Sequence, residues 1–308
     1  MQKTVGRFAP SPSGRMHMGN VFASLMAWLC SRSRGGEMVM RIEDLDTVRC
    51  TEHFAELIKS DLTWLGLDWD REMPYQHTRS DVYAEVLKGF RARGLTFDCR
   101  CTRGDLHAAS APHASDGHSV YTGTCRYASD DVKQQIALQP HCVRLIVPDE
   151  TITFCDTVYG EISENLALEC GDFVLQKADG SYAYQLAVVV DDIAGGVNQV
   201  VRGCDLLGST ARQIYLHRLQ GAAAPEYCHV PMLVGEGGRK LSKRDLDLDL
   251  GVLRQSVRPQ RIIGALAYFA GLTDKLTEMS ANELLQIFDI KKLGKGDIAI
   301  DPSVILGS

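Results

Sequence analysis

Two short segments set far apart in the chain carry side chains suited to the phosphates of a nucleotide. In the run Arg7 to Asn20, His17, Gly19 and Asn20 stand at the head of a helical pattern (Met18, Val21, Phe22, Leu25, Met26, Leu29) that stops at Gly35 and Gly36. A helix starting there aims unpaired backbone N–H groups and a partial positive charge at an anion. Glycine at 19 lets a nucleotide rest on the backbone, and His17 can donate to a phosphate oxygen. In the run Gly238 to Asp245, Lys240, Lys243 and Arg244 surround Ser242 beside a Gly-Glu-Gly-Gly stretch. Lysines so placed can neutralise charge that develops as pyrophosphate leaves, a contribution of several kcal/mol in known sites. A Lys-x-Ser-Lys alone is usually a solvated basic turn. Together the two runs read as halves of an ATP site, with His17 and Lys243 as catalytic candidates and Mg²⁺ accompanying the ATP.

A second constellation suits a metal. Cys99, Cys101 and Cys125 could supply three thiolates to a tetrahedral zinc, anchoring a loop too poor in apolar side chains to pack itself. From chemistry alone the fourth ligand is a loop histidine (His107, His113 or His118), since imidazole is a commoner zinc ligand than phenol. Cys30, Cys142, Cys155, Cys170, Cys204 and Cys228 lie among apolar neighbours at no ligand spacing and receive no function. No run approaches the roughly 20 apolar residues of a membrane span, and the N-terminus lacks a basic and apolar leader pattern. A cytoplasmic protein with reduced cysteines and no membrane partner is expected.

The elements that must hold these residues alternate as in an α/β fold. A strand carrying Val5 and Phe8 precedes the first helix, and a strand from Glu37 to Ile42 follows, then helices at Thr51 to Leu65 and Ser80 to Arg93. Glu43 then sits at the carboxyl edge of a parallel sheet, where open α/β folds bind ligands. From Cys99 to about Cys170 the chain is loop-rich, with strand candidates Cys142–Val147, Thr151–Phe154 and Thr157–Ile162. Phe173–Gln176 and Tyr182–Val190 flank Ala-Asp-Gly-Ser and predict a hairpin. Gln260 to Phe269 predicts a helix, and Ser280-Ala-Asn-Glu283 has the spacing of a capping box. The expected division is 1–98 and 171–245 as halves of a nucleotide-binding domain, 99–170 as an inserted zinc-bearing domain that meets RNA, and 246–308 as a helical tail.

His17-Met-Gly-Asn20 resembles the HIGH motif, and Lys240-Leu-Ser-Lys-Arg244 the KMSKS motif, of class I aminoacyl-tRNA synthetases. Arg7-Phe-Ala-Pro-Ser-Pro-Ser-Gly14, Arg41-Ile-Glu-Asp-Leu-Asp46 and Val201-Arg-Gly-Cys-Asp205 are similar to the glutamyl branch. The resemblance implies a Rossmann-like catalytic domain with ATP held at His17, Gly19, Asn20, Lys240, Ser242 and Lys243. It implies contacts to L-glutamate from Arg7, Phe8, Ala9, Pro10, Ser11, Glu43, Tyr184 and Arg202. The chemistry agrees: two carboxylates and an ammonium call for guanidinium forks, a compensating carboxylate and hydroxyls. Cys-x-Cys followed by Tyr-x-x-x-Cys resembles the zinc pattern of the truncated paralogues that glutamylate queuosine, which implies Tyr121 as fourth ligand. Asn20 and Leu241 depart from the motifs, and the first leaves His17 as the main phosphate contact.

A net charge of −6 and a pI near 5.9 exclude global attraction for a polyanion, so tRNA contacts must be local. Candidates are Arg91, Arg93, Arg100 and Arg103 beside the insertion, and Arg254, Arg258 and Arg261 in the tail. Some sixty residues follow Lys243, too few for an anticodon-binding domain of about 100 residues. The expectation is a monomeric enzyme that forms glutamyl-adenylate and passes glutamate to the queuosine of tRNA(Asp), whose cis-diol resembles a terminal ribose. The alternatives are a compact glutamyl-tRNA synthetase charging tRNA(Glu), a small-metabolite nucleotidyltransferase, and a zinc-stabilised RNA-binding protein without activity.

Overall fold

Alternating short apolar strands and amphipathic helices begin the structure, a computed structural model that describes residues 3–102, 105, 120–235 and 249–306. β1 (Val5–Phe8) leads through α1 (Met18–Arg32) to β2 (Glu37–Met40), and α2 (Glu52–Trp64) leads to β3 (Arg71–Glu72). The three strands pair in parallel in the order β1-β2-β3. α1 buries every residue of its sequence pattern and also Ala27, Trp28 and Cys30, because helices cover it on its far side. Gly36 is required where the chain turns back into β2, since a Cβ there would lie 2.6 Å from Ser31 Oγ and 2.8 Å from Thr4 O. α3 (Ser80–Ala92) seats Tyr83, Leu87 and Phe90 in a second core.

β4 (Thr96–Cys99), α4 (Asp130–Ala137) and β5 (Cys142–Leu145) follow, then a hairpin of β6 (Thr151–Asp156) and β7 (Gly160–Asn165), then β8 (Val174–Gln176). β4, β5 and β8 form an antiparallel sheet. β7 begins later than Thr157 because Asp156 Oδ1 accepts from the Val158 and Tyr159 N–H groups and closes a side-chain turn. The hairpin expected across Ala-Asp-Gly-Ser is reduced to one bridge, Gln176 with Tyr182. The segment expected to continue as a strand is instead α5 (Tyr184–Ala194). An unbroken apolar run does not separate a buried strand from a buried helix. Leu186 through Val190 are buried all round, so tertiary packing overrides the β-propensity of three successive valines.

β9 (Gln199–Gly203) connects through α6 (Thr210–Leu219) to β10 (Glu226–Val230), which pairs in parallel with both β9 and β6. The β6–β7 hairpin therefore shares one sheet with β9 and β10, although it precedes residue 171 in sequence. β9 also runs beside β1. Asn198 N donates to Val5 O at 3.1 Å, Val5 N to Asn198 Oδ1 at 2.8 Å, and Arg7 Nη1 to Val201 O at 2.9 Å. The carboxyl ends of β1 and β9 thus meet where the sheet order reverses, the usual location of a ligand crevice.

β11 (Leu233–Val234) pairs with β12 (Ile298–Ala299), and α7 (Leu250–Leu253), α8 (Pro259–Phe269), α9 (Ala281–Ile287) and α10 (Pro302–Leu306) complete the chain. Leu250, Leu253, Ile262, Leu266 and Leu284 enter the same core as the α1 side chains, so the tail packs directly on the first helix. The capping box at α9 forms as its spacing predicts: Ser280 Oγ accepts from Glu283 N, and the Glu283 carboxylate accepts from Ser280 N. Among the described residues no helix is long and apolar enough to cross a membrane.

Candidate active site

A cleft of about 620 Å³ opens between the carboxyl ends of β1 and β9 and the amino end of α1. Arg7, Phe8, Ala9, Pro10, Ser11, His17, Gly19, Asn20, Glu43, Tyr184 and Arg202 all line it. One cleft thus brings together the whole predicted glutamate set and the first half of the predicted ATP set. Lys240, Ser242 and Lys243 lie outside the described residues. A second hollow of about 330 Å³ adjoins it through Ser11, Ser13, Glu43 and Tyr184.

At one end of the cleft His17 is the N-cap of α1. Its Nδ1 accepts from Gly19 N at 3.1 Å, and Asn20 Oδ1 accepts from His17 N at 3.4 Å. Asn20 therefore closes a capping box, and a neutral His17 ring carries its proton on Nε2. The described residues beyond the lysine-bearing run return here: Asp249 bridges His17, and Leu250 N donates to Met16 O at 3.4 Å. Buried Asp61 Oδ1 accepts from Arg15 Nη2 at 3.0 Å and Arg254 Nη1 at 2.6 Å, tying the loop before α1 to α7. Gly251 makes room for this strut, since a Cβ on it would sit 2.2 Å from Arg15 Nη1.

The carboxylate end is a buried ion network. Fully buried Arg41 donates to Glu43 Oε1 from Nη2 at 2.9 Å and to Asp192 Oδ1 from Nη1. Burial opposes charge on Arg41, but Asp192 and Glu43 together hold it protonated. Burial pushes the Glu43 carboxyl above its ordinary range, and Arg41 resists that rise. Burial lowers the Arg7 pKa against the pull of Asp192, whose Oδ1 lies 3.7 Å from Arg7 Nε. That Nε–H is buried without a hydrogen-bond partner among the described residues, with the Asp192 carboxylate as its neighbouring charge. Arg202 projects from the end of β9 with His229, Gln213, Thr210 and the Leu206 carbonyl around it. Tyr184 opens α5, and burial raises its pKa, so its hydroxyl stays a neutral donor and acceptor.

The cysteine cluster lies apart from this cleft, at the end of β4. The sulfurs of Cys99, Cys101 and Cys125 lie within 4.8 Å of one another, with Cys101 Sγ and Cys125 Sγ 3.6 Å apart. Tetrahedral zinc with Zn–S bonds of about 2.3 Å would set sulfurs about 3.8 Å apart, so the cluster fits. Tyr121 is buried beside it, its phenol oxygen accepting from Cys125 N at 2.6 Å. Cys142, directly across the ladder from Cys99, lowers the Cys99 thiol to about 4, against burial. Burial and the neighbouring thiols push Cys101 up to about 12. His107, His113 and His118 lie outside the described residues.

Residues 3–305 match the family model described as the catalytic domain of class I tRNA synthetases for E and Q. The chain belongs to that family. It is 40% identical over 314 residues, 97% of each chain, to a protein of Symbiobacterium thermophilum named Glutamyl-Q tRNA(Asp) synthetase. A Geobacter sulfurreducens protein of the same name is 46% identical over 82% of this chain and 80% of its own. A glutamate tRNA ligase from Elizabethkingia meningosepticum, solved in complex with its amino acid, superposes with a TM-score of 0.84 at 27% identity. That match covers 99% of this chain and 68% of the other. The fold is the α/β catalytic fold of class I synthetases.

Several residues that shape this synthetase site escaped sequence reasoning. Asp192 bridges Arg41 and Arg7, His229 and Gln213 accept from Arg202, and Asp156 holds His229 from behind. Two acids inside the apolar α5 run were a usable signal for Asp191 and Asp192. His229 in an apolar strand gave none. Of the predicted RNA-contacting arginines, Arg254 and Arg261 are engaged by Asp61 and the Val304 carbonyl, and Arg91 and Arg93 by Asp98 and the Leu219 carbonyl. Arg100 and Arg258 are exposed, and Arg103 lies outside the described residues.

Proposed function

We propose that this synthetase activates L-glutamate with ATP and transfers it to the queuosine base at the wobble position of tRNA(Asp). The observation that carries the reading is the cleft in which the amino end of α1 adjoins buried Arg7, Glu43 and Arg202 and half-buried Tyr184. The two relatives that carry the name Glutamyl-Q tRNA(Asp) synthetase support the choice of acceptor.

Glutamate binds with its carboxylates toward Arg7 and Arg202 and its ammonium toward Glu43, while Ser11 and Tyr184 orient it. The backbone of Phe8, Ala9 and Pro10 forms the floor. An α-carboxylate oxygen attacks the α-phosphorus of ATP, and the bond to pyrophosphate breaks. His17, the amino end of α1 at Gly19 and Asn20, and Lys240, Ser242 and Lys243 bind the phosphates and stabilise their charge. Mg²⁺ bound with the ATP would supply further neutralisation of the leaving pyrophosphate. A queuosine hydroxyl then attacks the acyl carbon of the adenylate, AMP leaves, and an ester remains. No side-chain nucleophile takes part, so the rate comes from positioning and electrostatics.

Cys99, Cys101, Tyr121 and Cys125 would hold one structural zinc per chain, securing the inserted segment 99–170 that faces RNA. Glutamate-dependent exchange of labelled pyrophosphate into ATP tests the activation half. The expected result is exchange with glutamate, little with aspartate or glutamine, and a loss of about 100-fold in kcat for Lys243→Ala. No exchange with glutamate would overturn the reading.

A further inference from the structure

Arg202 donates from Nε to His229 Nε2 at 3.0 Å, from Nη1 to Gln213 Oε1 at 2.7 Å, and from Nη2 to Thr210 Oγ1 at 2.9 Å and Leu206 O at 3.3 Å. Four of its five N–H bonds are thus engaged by described residues, leaving one on Nη1 for a ligand. An arginine can only donate, so His229 Nε2 must be an acceptor and the ring proton must sit on Nδ1. That proton points at Asp156 Oδ2, 2.7 Å away, which also accepts from His229 N at 3.0 Å. The other oxygen of Asp156 is taken by Val158 N and Tyr159 N, each at 2.9 Å. Each carboxylate oxygen therefore faces donors only, and no other orientation of His229 satisfies both neighbours.

The strands fix this relay. His229 on β10 is the ladder partner of Arg202 on β9, and Asp156 ends β6 on the other side of β10. All three are buried. Beyond Arg202 the same logic continues: Gln213 Oε1 accepts, so its Nε2 donates to Gln185 Oε1 at 2.8 Å, and Gln185 Nε2 donates to Ser209 Oγ at 3.0 Å. Gln185 directly follows Tyr184 in the glutamate pocket. The Arg202 guanidinium is held on both sides: by His229, whose ring Asp156 orients, and by Gln213, whose amide direction follows from Arg202 being a donor only.

We propose that Asp156 and His229 are positioning residues that lock His229 in its Nδ1–H tautomer and so fix the Arg202 guanidinium for a substrate carboxylate. The proposal rests on the glutamate reading above. Burial lowers the His229 pKa, opposed by Asp156, in keeping with a neutral ring. Asp156→Asn replaces one acceptor by an N–H₂ donor; kept away from the two backbone N–H groups of Val158 and Tyr159, that donor takes the Oδ2 place and meets Nδ1–H. The ring would then have to carry its proton on Nε2, facing the Arg202 Nε–H, which is the tautomer error known from catalytic triads.

The test measures pyrophosphate exchange by the full-length protein, varying glutamate and ATP separately, for His229→Leu, His229→Gln and Asp156→Asn. Glutamine can accept from Arg202 and donate to Asp156 at once, so it should restore what leucine loses. His229→Leu and Asp156→Asn should raise KM for glutamate about tenfold to a hundredfold with KM for ATP close to wild type, and should lower Tm because each leaves a buried polar group unpaired. Histidine-labelled wild-type protein should show the His229 proton on Nδ1 by ¹⁵N NMR, a readout available even where a variant fails to fold. A KM for glutamate unchanged in both variants, an equal rise in KM for ATP, or a proton on Nε2 would overturn the proposal. Absence of glutamate-dependent exchange in the wild type would sink the glutamate reading instead, and the NMR result would still judge the tautomer.

Discussion

Arg41 compensates two buried acids at once, so it carries more of the fold than any exposed ion pair. Arg41→Met leaves Glu43 and Asp192 without their shared guanidinium and should destabilise the protein by about 3–5 kcal/mol in urea denaturation. Arg49→Ala, which breaks a solvent-exposed pair with Asp46, should leave the urea midpoint essentially unchanged. A second consequence concerns pH. His217 is buried with neither ring nitrogen hydrogen-bonded among the described residues, and burial lowers its pKa as it does that of His229. The unfolded chain therefore takes up protons below about pH 6.5 that the folded chain refuses. Stability should be complete above that pH and fall as pH drops toward the folded-state pKa values. Replacing His217 with leucine should flatten the decline, as measured by denaturant midpoints between pH 5 and 7.5. The residues of the cleft were legible because they sit in motifs, whereas Asp192 lies 151 positions from Arg41 and only folding joins them.

Helix starts were the most legible elements, because a cap is local chemistry. His17 before α1, Thr51 before α2 and Ser280 before α9 each accept from a backbone N–H of the first turn. Ser280→Ala should cost about 1 kcal/mol and leave exchange kinetics unchanged. His17→Ala should cost a similar amount and in addition raise KM for ATP, since α1 begins in the cleft. α5 was misread as a strand because a buried apolar run has no period to betray it. Its Tyr184 nonetheless reaches the cleft, so the error in the element did not displace the residue. The β4–β5–β8 sheet should depend on metal at the Cys99, Cys101 and Cys125 cluster. Elemental analysis should find about one zinc per chain, and chelation should lower Tm, with release slowed by none of the histidines in the loop if Tyr121 is the fourth ligand.

At the scale of the whole molecule, residues from β1, the segment after β2, α5 and β9 converge on one crevice, although nearly 200 positions separate Arg7 from Arg202. No period or composition could have gathered them; the alternating α/β order predicted a crevice, and the family motifs said which residues enter it. A net charge of −6 gives no global attraction for RNA, and of the arginines expected to meet it Arg100 and Arg258 are the exposed ones among the described residues. The choice of acceptor is what separates this protein from an enzyme that charges tRNA(Glu). Labelled glutamate should be supplied with ATP to purified tRNA(Asp) with and without queuosine, and to tRNA(Glu). Label in an alkali-labile bond on queuosine-containing tRNA(Asp) alone is the predicted result; label on tRNA(Glu), or on tRNA(Asp) regardless of queuosine, would contradict it.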